Sequence, residues 1–250
     1  MKVWSFSYGL LGWFLSLAAS VANSEVPVKQ PGIPLPGTLA PDFEADVVVP
    51  DKAHPAGKVI KGFKLSRIIG KKRVMLMTYP KNCTFICPTE LIQLNKKLGE
   101  FEKLNYEVLV LSADEAALEK DREHSHQAWR LMPAKPDKGK AGTPMGLGNV
   151  GFTMVADPQR NIIRAYGIEG NNQLALRATF LIGLDGKIYV ADVQSINIGR
   201  DIDELLRKAA ALKFVEENRE LVTPEGWQPG EKGMKPTHEG VRKQVKSAGG

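Results

Sequence analysis

The chain has 250 residues, of which 43% are hydrophobic and 25% are charged. This composition excludes a disordered or low-complexity protein and suffices for one domain with a full core. The formal net charge of +6 favours attraction to anions. No basic stripe interleaved with aromatic residues accompanies it, so we expect no nucleic-acid partner.

The N-terminus has the pattern of a secretory signal. Lys2 precedes an apolar run from Leu10 to Leu17, and small residues at Ser20 and Ala22 fit a cleavage site. We predict a signal peptide at residues 1–22 and export of the mature chain, to the periplasm if the source is a Gram-negative bacterium. An uncleaved anchor is the alternative, but the run is short for a membrane span. We therefore expect no membrane association after cleavage.

Strands and helices alternate after an extended leader, rich in Pro and Gly, at residues 23–40. The predicted strands lie at 42–49, 74–78, 106–111, 152–156, 178–182 and 187–190, and the predicted helices begin at Cys87, Asp114, Pro158 and Asp201. Asp185-Gly186 predicts a hairpin between the last two strands. These elements predict one α/β domain at residues 41–219 with a mixed central sheet. A polar, basic tail at residues 220–250 is expected to pack loosely or to be disordered.

Both cysteines of the chain lie in the loop between the strand at 74–78 and the helix that follows. Cys87 is placed at the entrance of this helix, with Pro88 at its first position. Helix N-terminal N–H groups and the helix dipole favour a thiolate there. An activated nucleophile and a buried, inert cysteine are both compatible with this position. A structural Cys83–Cys87 disulfide would stabilise little, because it closes a very short loop.

The surroundings of Cys87 decide between these interpretations. Pro80, Thr84 and Cys87 form the pattern Pro-x-x-x-Thr-x-x-Cys. A hydroxyl at Thr84 can donate to a thiolate and then to a peroxide oxygen, while Pro80 would shield the sulfur from water. The stretch resembles the peroxiredoxins, specifically the typical 2-Cys group that includes the peroxidatic subunit of alkyl hydroperoxide reductase.

The resemblance covers roughly residues 38–236. It rests on motifs that occur in the family's order: Tyr79-Pro80, Pro88-Thr89-Glu90, His126–Trp129, Asp157-Pro158, Ala165–Gly167, Arg177, Gly199-Arg200 and Pro224–Trp227. It implies a thioredoxin-like fold, with a mixed central sheet flanked by helices. It also implies a homodimer that builds a ring of dimers.

The resemblance further implies a thiol peroxidase that needs no metal, haem or flavin. Cys87 would attack hydrogen peroxide or an organic hydroperoxide and become a sulfenic acid. Arg177 would stabilise the Cys87 thiolate, and Arg200 would add to the positive field. Thr84 and the backbone at Cys87 would hold the peroxide oxygens in line. Glu90 would orient an arginine by a charge-assisted pair. Tyr79 is a supporting residue of the same loop.

One departure from the family concerns the resolving cysteine. Thr223 stands where typical members carry that cysteine, so the usual disulfide between subunits cannot form. Cys83, where the family has an aromatic residue, has three interpretations. It resolves Cys87 after the loop unwinds, it pairs with a second subunit, or it is only a small apolar replacement. We favour the last, because free cysteines usually serve packing. An external thiol or thiol protein would then be the reductant.

Other functions are compatible with parts of the sequence. An oligomeric holdase chaperone, or a peroxide sensor with low turnover, is the alternative, motivated by the missing resolving cysteine. The glycines at 146–151 fit a dinucleotide fingerprint, but a loop precedes them and a predicted strand follows, so we reject that site. His124 and His126 point to different faces of the predicted helix, and we expect no metal there.

Overall fold

The structure is a computed structural model that describes residues 32–134 and 145–248. The predicted signal peptide at 1–22 and the first half of the leader predicted at 23–40, residues 23–31, lie outside the described residues. Within the described part of the chain, no helix is long and apolar enough to cross a membrane.

A seven-stranded mixed sheet forms the centre of the molecule, in the order β2-β1-β5-β4-β3-β6-β7. The strands are β1 (Glu44–Val49), β2 (Lys58–Lys64), β3 (Arg73–Thr78), β4 (Tyr106–Ser112), β5 (Thr153–Ala156), β6 (Arg177–Ile182) and β7 (Ile188–Gln194). β3, β4 and β5 are parallel, and the remaining pairs are antiparallel. The prediction of an α/β fold with a mixed sheet is confirmed.

Helices cover both faces of the sheet. α1 (Cys87–Lys103), α2 (His126–Leu131) and α4 (Ile202–Glu217) pack on one face, and α3 (Asn161–Ala165) packs on the other. A further helix, α5 (His238–Ala248), lies in the C-terminal segment. Successive residues of β3 alternate between two cores: Met75 and Met77 pack with α1 and α4, whereas Val74 and Leu76 pack on the side of α3. A strand buried on both faces reads as a continuous apolar run, and for this reason β3 was predictable.

Two predictions of secondary structure are wrong. The helix predicted at 114–129 is reduced to α2, because Asp121 Oδ1 accepts the N–H groups of Glu123 and His124 in a turn before it. Ser125 then caps α2, its Oγ accepting from the Ala128 N–H at 3.2 Å. β2 was not predicted as a strand, since lysines occupy its two ends and its centre.

The C-terminal segment is more ordered than predicted. Trp227 is 2% exposed, and its ring centroid lies 5.1 Å from that of Phe214 on α4. Arg207 Nη1 donates to the Trp227 carbonyl at 3.2 Å, and Val222 pairs with Met234 in an antiparallel bridge. The expectation of a loosely packed or disordered tail is therefore wrong for the part held by Trp227.

We expect Trp227→Ala to destabilise the protein by about 3–5 kcal/mol, the usual cost of truncating a buried aromatic side chain. Urea denaturation measures the loss, and limited proteolysis should show earlier cleavage after α4. Val245→Ala, at a 65% exposed position on α5, is the control and should change stability by less than about 0.5 kcal/mol. Equal stability of the two variants would contradict the packing described for Trp227.

Candidate active site

Cys87 is the first residue of α1, directly after the loop that leaves β3. The chain enters the helix at Ile86, and the Thr89 and Glu90 N–H groups both bond to the Ile86 carbonyl. The Cys87 side chain is fully buried. Helix entry thus places a sulfur at the end of α1 where the helix dipole is positive.

Arg177 contacts this sulfur from the first position of β6. Its Nη1 lies 3.4 Å from Cys87 Sγ and donates to Glu90 Oε2 at 2.8 Å. Its Nε donates to the Ile196 carbonyl at 2.8 Å. These bonds fix the plane of a guanidinium that is 3% exposed. The structure therefore brings together Cys87, Arg177 and Glu90, as the sequence predicted.

Glu90 also holds Arg200, which was predicted to add to the positive field. Arg200 donates to Glu90 Oε1 from its backbone N at 2.7 Å and to Oε2 from Nη2 at 2.8 Å. Its Nη1 donates to the Ala178 carbonyl at 2.8 Å. Burial lowers the pKa of Arg200, and the hydrogen bond and charge of Glu90 oppose that shift. Two buried guanidinium groups thus share one carboxylate, which leaves an excess of positive charge beside the sulfur.

Pro80 and Thr84 lie in the same loop. Pro80 is buried, in agreement with a shielding role. Thr84 is only partly buried, and its hydroxyl donates to the Lys81 carbonyl at 3.0 Å. In this arrangement the hydroxyl serves the loop rather than the Cys87 sulfur. A peroxide oxygen would have to compete with that carbonyl for the proton.

Cys83 has a different environment from Cys87. Its φ of 57° is in the left-handed region, and its Sγ lies 3.8 Å from the Glu123 carbonyl and 3.9 Å from Met132 Sδ. Burial, followed by the carboxylates of Asp114 and Asp121, raises the pKa of Cys83 to about 11. Both cysteines are free thiols, and Cys83 is protonated at neutral pH.

A buried polar network that the sequence did not predict joins Tyr79 to the segment after β4. The Tyr79 hydroxyl donates to Asn82 Oδ1 at 2.6 Å. Asn82 Nδ2 lies 2.6 Å from the His124 carbonyl and 3.2 Å from His126 Nδ1. The sequence gives no signal for this network, because a buried amide in a loop leaves no periodic pattern.

Burial fixes the state of two members of this network. Desolvation lowers the pKa of His126, so the imidazole is neutral at neutral pH. Its Nε2 lies 3.1 Å from the Val155 carbonyl, which can only accept, and Nδ1 is consequently the acceptor. Desolvation also raises the pKa of Tyr79 well above its usual value, so this hydroxyl keeps its proton.

The glycine segment and the two histidines that sequence analysis set aside have the following positions in the structure. The glycine segment at 146–151 leads into β5, and no helix follows it. His124 Nδ1 lies 3.6 Å from Asp121, while His126 is enclosed in the network above. Within 32–134 and 145–248, no group of His, Cys, Asp and Glu side chains has the arrangement of a metal site.

Comparison with known proteins shows which families and proteins this chain resembles. The model of the AhpC/TSA family matches residues 36–191, and that of the C-terminal domain of 1-Cys peroxiredoxin matches residues 211–248. The chloroplastic 2-Cys peroxiredoxin BAS1 of Arabidopsis thaliana is 40% identical over 205 residues, which are 82% of this chain and 69% of the relative. Alkyl hydroperoxide reductase C of Helicobacter pylori strain J99 is 38% identical over 208 residues, 83% of this chain and 94% of the relative.

Solved structures agree with these relatives. The crystal structure of reduced 2-Cys peroxiredoxin from Plasmodium vivax superimposes with a TM-score of 0.70 and 33% identity, covering 84% of this chain and 97% of that one. The AhpC of Enterococcus faecalis gives a TM-score of 0.60 with 26% identity, covering 77% of this chain and 100% of that one. The predicted thioredoxin-like fold is thereby confirmed.

We expect Glu90→Gln to lower the free energy of unfolding by about 3–5 kcal/mol, because it leaves two buried guanidinium groups without a counter-charge. Urea denaturation measures the change. Glu204→Gln is the matched control: it removes a carboxylate paired with Arg207 whose side chain is 40% exposed, and should cost no more than about 1 kcal/mol. Equally small losses of unfolding free energy in the two variants would show that Glu90 does not stabilise the two buried arginines.

Proposed function

This chain belongs to the AhpC/TSA family of peroxiredoxins and is a thiol peroxidase, and we propose that it reduces hydrogen peroxide and organic hydroperoxides at Cys87 without a C-terminal resolving cysteine. One observation carries the assignment of the site. Arg177 Nη1 lies 3.4 Å from Cys87 Sγ while Glu90 and the Ile196 carbonyl fix its guanidinium. Reactive cysteines lie in electropositive surroundings of this kind, beside a positive group or at a helix entrance.

The reaction follows from these positions. The Cys87 thiolate attacks one oxygen of the peroxide, the O–O bond breaks, and the second oxygen leaves as hydroxide or alkoxide and takes up a proton. The sulfur is oxidised to a sulfenic acid, and the peroxide is reduced to water or an alcohol. Arg177 and Arg200 offset the negative charge that moves from sulfur to the leaving oxygen. The Thr84 hydroxyl can donate to a peroxide oxygen only by giving up its hydrogen bond to the Lys81 carbonyl.

Reduction of the sulfenic acid is assigned to an external thiol. Thr223 occupies the place expected for the resolving cysteine, and the chain has 2 cysteines in all. Cys83, the other internal candidate, has a pKa raised to about 11, and a protonated thiol attacks slowly. A thiol or thiol protein then returns Cys87 to its reduced state.

Export and assembly complete the proposal. The Lys2 and Leu10–Leu17 pattern supports cleavage after residue 22 and a periplasmic or otherwise exported protein. The family supports a homodimer and a ring of dimers. The intact mass of the protein from its native cell tests the first point, since cleavage removes residues 1–22. Sedimentation of the mature chain tests the second.

We expect Cys87→Ser to abolish peroxide reduction, whereas Cys83→Ser should keep turnover with an external thiol within about threefold of the unsubstituted protein. The matched pair differs only in which thiol of the loop is lost. Peroxide consumption with dithiothreitol measures turnover, and intact mass after a sulfenic-acid trap measures oxidation. If Cys87 reacts no faster than free cysteine, the peroxidase assignment fails and a holdase function becomes the better explanation. Loss of turnover in Cys83→Ser would make Cys83 the resolving residue.

We expect Arg177→Met to slow oxidation of Cys87 about 10²–10³-fold, the usual effect of removing one preorganised donor to a developing charge. Stopped-flow oxidation under single-turnover conditions measures the rate. Arg207→Met is the control, because Arg207 pairs with Glu204 on the partly exposed face of α4 and should leave the rate unchanged. If Arg177→Met leaves the oxidation rate of Cys87 unchanged, the contact between Arg177 and Cys87 does not support the assignment of the site.

A further inference from the structure

The two thiols of the loop face opposite sides of β3. In the sheet, β4 adjoins one edge of β3 and β6 adjoins the other. Cys87 Sγ faces Arg177, the first residue of β6. Cys83 Sγ instead lies against the Glu123 carbonyl and Met132 Sδ, which belong to the connection between β4 and β5. A disulfide between the two sulfurs therefore requires the loop to detach from the β4 side.

Asn82, the residue before Cys83, attaches the loop to that side. Its backbone N–H donates to Asp114 Oδ2 at 2.8 Å, and its Nδ2 donates to the His124 carbonyl at 2.6 Å. The side chain is 1% exposed. Asp114 itself is held by the Ser112 hydroxyl at 2.6 Å, so the loop is joined to the ordered end of β4.

The orientation of the Asn82 amide is unambiguous. Tyr79 donates its proton to Oδ1, since the second polar atom near that hydroxyl, His126 Nδ1, is farther away, at 3.4 Å against 2.6 Å. Nδ2 faces two acceptors, the His124 carbonyl and His126 Nδ1. Flipping the amide would place Oδ1 against that carbonyl, so both ends of Asn82 are specified by buried partners.

The remainder of the loop is weakly held. Cys83 takes a left-handed φ of 57°, a conformation that is unfavourable for a residue with a Cβ. Thr84 bonds within the loop, to Lys81, and Phe85 is 93% exposed. Release of Asn82 would relieve the backbone strain at Cys83 and would not expose the Phe85 ring further.

We propose that Asn82 is a positioning residue that keeps the Cys83 thiol away from Cys87, so that the sulfenic acid of Cys87 persists until an external thiol reaches it. This inference rests on the proposed function. When the loop is released, Cys83 attacks the oxidised sulfur: Cys87–SOH and Cys83–SH give a Cys83–Cys87 disulfide and water. The sulfenic sulfur is reduced, the Cys83 sulfur is oxidised, and the departing hydroxyl takes the thiol proton.

Asn82→Leu tests the proposal, because leucine has the same branched side-chain skeleton as asparagine and makes no side-chain hydrogen bonds. The protein is treated with one equivalent of hydrogen peroxide without added thiol, and intact mass follows the sulfenic acid and the disulfide over time. We expect the unsubstituted protein to accumulate trappable sulfenic acid. The variant should form the disulfide at least about tenfold faster, because buried hydrogen bonds no longer oppose release of the loop. The rate of the first oxidation of Cys87 should change much less.

Three further variants make the outcome decisive. Asn95→Leu removes another asparagine that holds a loop, through Gly151 N–H at 2.7 Å, and should not change disulfide formation. Asn82→Leu combined with Cys83→Ser should form no intrachain disulfide. Tyr79→Phe deletes one bond of the network and is used if Asn82→Leu fails to fold. Tyr79→Phe should accelerate disulfide formation by a smaller factor than Asn82→Leu does.

Two results would overturn the proposal. One is a disulfide rate unchanged by Asn82→Leu and Tyr79→Phe while Cys87 is oxidised normally. The other is rapid disulfide formation in the unsubstituted protein, since the network would then not separate the thiols. Failure of Cys87 to be oxidised in the unsubstituted protein is distinguishable from both, because it overturns the proposed function and this inference with it.

Discussion

The site depends on one buried carboxylate. Glu90 accepts hydrogen bonds from both Arg177 and Arg200, and through them it joins α1, the start of β6 and the loop before α4. Removing three ionised groups from water is costly, and only mutual pairing offsets that cost. The three paired groups therefore add little net stability, but they strongly constrain the geometry of the site. It fixes where a guanidinium meets the Cys87 sulfur.

The position of Glu90 in the helix explains why one carboxylate suffices. Residues three apart on a helix lie on the same face, so a carboxylate at 90 lies beside a thiol at 87. Arg177 can bond to the carboxylate and still present Nη1 to the sulfur. Because Arg200 supplies a second positive charge, Glu90 does not neutralise the cluster. A helix entrance and a shared carboxylate thus orient positive charge toward the Cys87 sulfur.

The features that sequence predicted are those with local or periodic signals. The buried strand β3, the helix entrance at Cys87, and the cap of α4 at Asp201, whose side chain accepts from Asp203 and Glu204 N–H, follow from neighbours in the chain. Arg177 was found through resemblance, since nothing local distinguishes it from a surface arginine. Asn82 and His126 were missed as a pair because their contact depends on how the segment after β4 folds. The helix predicted at 114–129 failed for a related reason: hydrogen bonds within turns replaced its helical ones.

Cys83 and Cys87 show how far environment separates two identical groups four positions apart. Cys87 lies at the positive end of α1 beside an arginine. Cys83 lies among carbonyl and thioether groups, and burial, followed by the carboxylates of Asp114 and Asp121, raises its pKa to about 11. The same Asp114 that disfavours a Cys83 thiolate accepts the Asn82 N–H. One carboxylate therefore both anchors the loop and suppresses the nucleophilicity of its second thiol. Proximity in sequence therefore gives Cys83 neither the neighbouring arginine nor the orientation that Cys87 has.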